Sequence, residues 1–260
     1  MSQPLRALIL DMDGVLWRGS EWLINPAAAF ARVRQAGWQF AFATNNATQP
    51  RAHYLHKFEA AGVPLEPWQV MNSPLATAAY LKERHPAGGT VFIVGEAGLH
   101  ETLAEEGFVH GTDSPVAVVA GLDRGITYEK LKIAGLLVRA GVPFIATNAD
   151  RSFPTPEGQT PGAGALQAAI TAASDVSPIV IGKPQPAMYY QLLRRLGTAP
   201  QETLVIGDRL ETDIAGGQAI GCKTGLVLSG VTSAEQAARW QPAPDWIAAD
   251  LDTLLDEVLP

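Results

Sequence analysis

The chain has 260 residues, 47% hydrophobic and 17% charged, which excludes a disordered protein and allows one large domain or two ordinary ones. Its 19 Lys plus Arg against 26 Asp plus Glu give a formal net charge of −7. That balance argues against a nucleic-acid or anionic-membrane partner, which would need a cationic field, but leaves room for a small anionic substrate held by a local site. A single cysteine, Cys222, rules out an internal disulfide framework and is read as a small buried residue. No apolar run reaches the roughly 18 residues of a membrane span. The apolar run Ala7-Leu8-Ile9-Leu10 meets Asp11 too soon to be a signal-peptide core, so a cytoplasmic protein is expected.

Short β-branched or apolar runs alternate with longer amphipathic ones along the whole chain. Ala7–Leu10 reads as a buried strand, Pro26–Ala36 as a helix with Pro26 in its first turn, and Phe40–Ala43 as a strand ending at Thr44. Pro50–Ala61 and Pro74–Arg84 read as helices, the second with Ser73 as its N-cap. After Pro86-Ala87-Gly88-Gly89 the rhythm continues with strand Val91–Val94, helix Gly98–Glu106, strand Val116–Ala120, helix Thr127–Ala140, strand Phe144–Ala146 and helix Gly162–Ser174. Beyond Val176-Ser177-Pro178 come helix Pro186–Leu196, strand Leu204–Ile206, helix Glu211–Ala219 and strand Thr224–Leu228. Strands alternating with helices imply an α/β protein, with parallel sheets covered on both faces. The two breaks bracket an inserted domain of ordinary size, which assigns residues 1–84 and 180–260 to a discontinuous core and residues 85–179 to the insertion.

Chemistry-bearing residues fall where strands end. In an open α/β sheet, ligands bind outside the carboxyl ends of the strands. Asp11-Met12-Asp13-Gly14 delivers two carboxylates to that edge, with Gly14 letting the chain turn away. Carboxylates this close repel and need a cation to stay ionised, and Mg2+ suits a site built from few carboxylates, waters and a phosphate. Taken alone, Asp-x-Asp-Gly also occurs in plain turns and calcium loops. The second strand end offers Thr44-Asn45-Asn46, whose hydroxyl and amides suit phosphate oxygens and equally suit a turn. Gly207-Asp208 closes a third strand, and Asp213 lies one helical turn beyond, where it could also compensate a helix N-terminus. Lys183, held between Gly182 and Pro184, adds a cation suited to phosphate. The histidines His53, His56, His85, His100 and His110 form no zinc-ligand pattern. Trp17 and Trp22 flank the first loop, lining an entrance or packing a hinge, and Arg209 faces substrate or pairs with Glu211.

The ordered set Asp11-Met12-Asp13-Gly14-Val15, Thr44-Asn45, Lys183-Pro184 and Gly207-Asp208-Arg209-Leu210-Glu211-Thr212-Asp213 resembles the haloacid dehalogenase (HAD) superfamily of phosphohydrolases over essentially the whole chain. Asp11 to Thr44 leaves room for one loop and one helix, so the insertion must lie between Thr44 and Lys183. That placement resembles the NagD-like, p-nitrophenyl-phosphatase-like branch. The resemblance implies a doubly wound, Rossmann-like core with an inserted α/β cap. It also implies a Mg2+-dependent phosphatase of small phosphate monoesters, of the sugar phosphate, pyridoxal phosphate, phosphoglycolate or nucleotide type. By the same resemblance Asp11 is the nucleophile and Asp13 the general acid and base. The metal is held by Asp11, the Asp13 backbone carbonyl and Asp208, with Asp213 behind it, while Thr44, Asn45 and Lys183 face the phosphoryl group. Asn46 joins Asn45 on the substrate side, and Asn148 and Asp150, in a cap segment Ala146–Asp150 similar to the branch's substrate-facing loop, offer hydrogen bonds to a polar leaving group. Pro161-Gly162-Ala163-Gly164 lacks the third glycine of a dinucleotide fingerprint and is read as close packing at a helix start. A carboxylate at Asp13 disfavours dehalogenation, which has no leaving alkoxide to protonate. An idle binder of a phosphorylated ligand and a sugar phosphotransferase are the competing readings. The implied partner is a small phosphorylated metabolite, and cap surfaces of this kind can pair into a homodimer.

Overall fold

The computed structural model describes residues 4–155 and 157–260. Contacts divide the chain into two compact units. One holds the segment ending at Thr44 together with Tyr54–Met71 and Lys183–Pro260; the other holds Asn45–His53 and Asn72–Gly182. Among the described residues, no helix is long and apolar enough to cross a membrane.

The first unit is built on a six-stranded sheet in the order Trp246–Ala248, Lys223–Val227, Thr203–Gly207, Ala7–Leu10, Gln39–Thr44, Val70–Asn72. Ala7–Leu10 is the central strand, fully buried along its length, which is why it is uniformly apolar rather than alternating. It pairs in parallel with Thr203–Gly207 on one side and Gln39–Thr44 on the other, and Leu10 is in register with both Ile206 and Phe42. This register fixes the site: Asp11, Asp208 and Thr44 all leave the sheet at one edge. Helix Pro26–Gln35 starts on Asn25, whose side chain accepts from the Ala28 N–H, with Pro26 at the position where a missing N–H costs nothing. It packs Phe30 into an aromatic core with Phe40, Phe42 and Phe58.

The second unit carries its own five-stranded sheet, in the order Ile179–Val180, Phe144–Ala146, Ala117–Ala120, Gly89–Val94, Phe108–His110, with every pair parallel. Helices Tyr128–Arg139 and Ala163–Ser174 pack on each other, and Val94, Val118, Ala120, Phe144 and Ile170 form its core. The hairpin Ser152–Thr155 with Gly158–Pro161 is antiparallel.

The α/β class and the parallel sheets follow the sequence pattern. The unit boundary does not: the second unit begins at Asn72 rather than at residue 85 and takes in Asn45–His53. The reason is packing, since helix Ser73–Arg84 lies against Ala97–Glu105 of the second unit. Its N-cap is Asn72, which accepts from the Leu75 N–H, and not Ser73, whose hydroxyl donates instead to the Asn45 carbonyl at 2.8 Å. The expected helix Glu211–Ala219 is also divided. Leu210–Ile214 forms a wider π-type turn before the α-helix Ala215–Ala219. Trp17–Arg18, Glu21–Trp22, Phe108–His110 and Ile179–Val180 were not legible as strands because two or three residues show no period.

The aromatic core yields a stability test. Phe42 is fully buried and stacks on Phe58 with ring centroids 4.4 Å apart. Phe42→Ala is expected to lower the unfolding free energy by about 3–5 kcal/mol, read as an earlier midpoint in urea.

Candidate active site

Asp11 continues the central strand by one residue. Its N–H donates to the Ile206 carbonyl at 2.8 Å, and its side chain is about nine-tenths buried. Asp208 arrives from the neighbouring strand and is 1% exposed. Its Oδ2 accepts from the Val231 N–H at 2.7 Å, whereas its buried Oδ1 has no hydrogen-bond partner among the described residues. Asp213 is equally buried because the π-type turn folds it back under the strand end, where its Oδ2 accepts from the Arg209 N–H at 3.1 Å. One carboxylate oxygen from each of Asp11, Asp208 and Asp213 lies within 4.8 Å of the others.

Backbone without side chains makes this crowding feasible. A Cβ on Gly14 would sit 2.5 Å from Asp208 Oδ2, and one on Gly230 only 1.9 Å from it. Gly14 also has φ +83°, a left-handed conformation that favours glycine. The loop bearing Gly230 is fastened from both sides: the Ser229 hydroxyl donates to the Gly14 carbonyl, and Arg18 donates to the Ser229 carbonyl, each at 2.7 Å.

Lys183 is the internal counter-charge. Its ammonium, 2% exposed as a residue, lies 2.8 Å from Asp11 Oδ1 and donates to Asp213 Oδ1 at 2.6 Å and to the Ala43 carbonyl at 2.7 Å. The approach to Asp11 is an ion pair rather than a well-aligned hydrogen bond. Burial works against the charge on Lys183, but the Asp11 and Asp213 carboxylates outweigh it and hold the ammonium far above its usual range. Burial pushes the Asp208 carboxyl up, reinforced by Asp11 and Asp213 and opposed by the Val231 N–H. Asp213 is raised by burial too, with Lys183 pulling the other way.

Three carboxylates thus face one ammonium, with a buried carboxylate oxygen on Asp208 left over. An all-oxygen donor set with an excess of negative charge and an orphaned acceptor fits a hard divalent cation. Asp11, Asp208 and Asp213 could each offer such a cation an oxygen, although both oxygens of Asp213 already accept from Lys183 and Arg209.

The other expected residues are placed as follows. Thr44 ends its strand, 2% exposed, next to the Ala43 carbonyl that receives Lys183. Asp13 is exposed, and its Oδ1 accepts from the Trp17 indole N–H at 2.9 Å. Asn45, Asn46, Asn148 and Asp150 belong to the second unit. There the Asn148 amide donates to the Asn45 carbonyl at 2.9 Å, and its Oδ1 accepts from the Asp150 N–H at 3.1 Å. Asn148 is buried and braces the Asn45 backbone. The Asn46 Oδ1 accepts from the N–H and hydroxyl of Thr48. Asp150 stays half-buried, with the Asn45 amide 3.5 Å from its Oδ1. Gly162 and Gly164 are needed for close packing, since a Cβ on either would meet the carbonyls of Asp150 or Ala149 at 2.3 and 2.6 Å. Sequence reasoning missed Gly230 and left the role of Trp17 open. For Gly230 the available signal was Ser229-Gly230, directly after an apolar strand.

Residues 8–109 match the family model for haloacid dehalogenase-like hydrolases, and residues 180–254 a HAD-hydrolase-like model. The chain is 36% identical over 231 residues to the 5'-nucleotidase YutF of Bacillus subtilis, covering 88% of this chain and 90% of that one. It is 35% identical over 254 residues to an acid sugar phosphatase of Staphylococcus aureus, covering 97% and 98%. The chain belongs to the HAD-like hydrolases. Among solved HAD structures it is similar to the p-nitrophenyl phosphatase of Archaeoglobus fulgidus, with TM-score 0.91, 29% identity and coverage of 98% and 100%. It is also similar to NagD of E. coli K-12, with TM-score 0.84, 31% identity and coverage of 95% and 97%. A glycerol phosphate phosphatase of Mycobacterium tuberculosis, solved in complex with magnesium, gives TM-score 0.87 at 33% identity, with coverage of 97% and 77%.

The buried charge balance of the site yields a stability test. Lys183→Met leaves Asp11 and Asp213 buried without their ammonium, and the metal-free protein is expected to lose about 3–5 kcal/mol of stability. A thermal melt in chelator checks this: an unchanged Tm would mean that Lys183 is not the internal counter-charge.

Proposed function

We propose that this HAD hydrolase is a Mg2+-dependent phosphatase of small phosphate monoesters, working through an aspartyl-phosphate on Asp11. The observation that carries the reading is one short loop presenting two carboxylates in unlike settings. Asp11 is buried against Lys183 and Asp208, while Asp13 is exposed and accepts from the Trp17 indole N–H.

Asp11 attacks phosphorus in line, and the bond to the ester oxygen breaks. Asp13 gives its proton to the departing oxygen, and so becomes the base that takes a proton from water in the second step. Water then attacks the phosphorus of the aspartyl-phosphate, releasing phosphate and restoring the Asp11 carboxylate. Lys183 offsets the negative charge of Asp11, so that one anion can approach another, and Thr44, at the end of its strand, donates to a phosphoryl oxygen. Asp213 keeps Lys183 in place rather than touching the cation. Mg2+, held by Asp11, the Asp13 backbone carbonyl and Asp208, supplies positive charge to the transferring phosphoryl group when bound.

The names of the relatives support a substrate among sugar phosphates, nucleotides and glycerol phosphate rather than a polymer, and the net charge of −7 is consistent with a small phosphorylated metabolite. An idle binder would have no use for an acid at Asp13.

Hydrolysis of p-nitrophenyl phosphate is expected with Mg2+, lost in chelator and restored by Mg2+ in excess. Asp11→Asn should lower kcat by at least about 10³-fold, since it removes the nucleophile on which the covalent route depends. Retained turnover in Asp11→Asn would end the nucleophile assignment, and phosphate release on no monoester would favour the binder.

A further inference from the structure

We propose that Trp17 is a positioning residue: its indole N–H holds the Asp13 carboxylate in the orientation from which it protonates the leaving group. The inference rests on the acid role proposed for Asp13 and adds the group that aims it.

Asp13 is exposed on a loop, where a carboxylate on two rotatable bonds ordinarily samples several rotamers. Here the Trp17 Nε1–H donates to its Oδ1 at 2.9 Å, a bond of ordinary length. The donor itself cannot turn. Trp17 is 3% exposed, stacks parallel to Tyr54 and meets Trp22 and Phe58 edge-on, with centroids 6.4, 5.0 and 5.6 Å away. The Lys57 ammonium lies 3.7 Å from the centre of the Trp17 ring, a cation–π contact that presses on it further. The backbone is held as well: the Gly14 N–H donates to the Trp17 carbonyl at 2.8 Å, and residues 13 and 17 form a β-bridge. A ring locked on several sides thus fixes the direction of one N–H, and that N–H fixes the carboxylate.

A purely structural Trp17 would need only some acceptor for a buried N–H. The two roles part in their dependence on the leaving group. Alkoxide departure needs the acid, whereas p-nitrophenolate leaves without it, and kcat/KM reports the steps through that departure. Trp17→Phe keeps an aromatic ring and deletes the donor. It should lower kcat/KM for a sugar phosphate by about 10- to 100-fold and for p-nitrophenyl phosphate by less than about threefold, as expected for misaiming a group without removing it. Trp22→Phe disturbs the same cluster without touching the N–H and should leave the ratio of the two substrates unchanged. Equal losses on both substrates in Trp17→Phe, or the same change of ratio in Trp22→Phe, would overturn the inference.

Asp13→Asn separates this from the reading beneath it. A leaving-group-selective loss in Asp13→Asn that Trp17→Phe fails to reproduce refutes the positioning role alone. No such loss in Asp13→Asn refutes the acid assignment and the positioning role together. Should Trp17→Phe not fold, β-(3-benzothienyl)alanine at position 17 keeps the fused ring, lacks the N–H, and answers the same comparison.

Discussion

Everything in the first unit turns on how much negative charge is buried at one edge of its sheet. Asp11, Asp208 and Asp213 bring carboxylate oxygens within 4.8 Å of one another, each nine-tenths or more out of water. Ionised carboxylates so placed repel strongly and lose most of their hydration. Lys183 offsets part of this by meeting Asp11 and Asp213, and the Val231 N–H helps Asp208, yet Asp208 Oδ1 remains without a partner. The polypeptide alone therefore does not neutralise its own site. The cost is borne by the packed sheet around it, whose central strand is fully buried and braced by an aromatic cluster.

That cost explains the local backbone. Gly14 and Gly230 approach Asp208 so closely that any side chain at either would displace it, and Ser229 and Arg18 fasten the two loops that carry them. The π-type turn at Leu210–Ile214 has the same origin. A regular α-turn gives Asp213 no special reason to fold back, whereas here the Asp213 and Ile214 N–H groups both donate to the Arg209 carbonyl while the carboxylate caps the Arg209 N–H. Irregular backbone appears where charges must be crowded, and the regular elements behind it hold it in place.

Asp11, Thr44 and Asp208 were readable in the sequence because each follows a continuous apolar run, and a parallel sheet in register sends such residues to one edge. Lys183 was readable by its stiff flanks. What escaped was decided by tertiary partners. Ser73–Arg84 is a plain helix in sequence, and only its packing on Ala97–Glu105 draws it into the second unit, moving the boundary to Asn72. Asn148 offers the same amide to a substrate or to a neighbouring carbonyl, and its bond to the Asn45 carbonyl is a tertiary contact that no local pattern encodes. The bond from Trp17 to Asp13 depends on a one-turn loop closing back on itself, which no hydrophobic period encodes.

The loop Asp11-Met12-Asp13 finally shows how one chain reversal gives two identical side chains unlike surroundings. Met12 is fully buried between them and anchors the turn, its carbonyl accepting from the Leu16 N–H at 2.8 Å. Asp11, before the anchor, stays at the sheet edge among charges, where an ammonium and a neighbouring carboxylate define its surroundings. Asp13, after it, is exposed and accepts from the indole N–H of an aromatic cluster. A nucleophile must approach an anion and so needs its own charge offset. A proton carrier must exchange with water and so needs exposure, with direction supplied by a rigid partner. Under the proposed aspartyl-phosphate route, two carboxylates placed two residues apart on either side of a buried methionine would meet those opposite requirements without further sequence being committed to separate them.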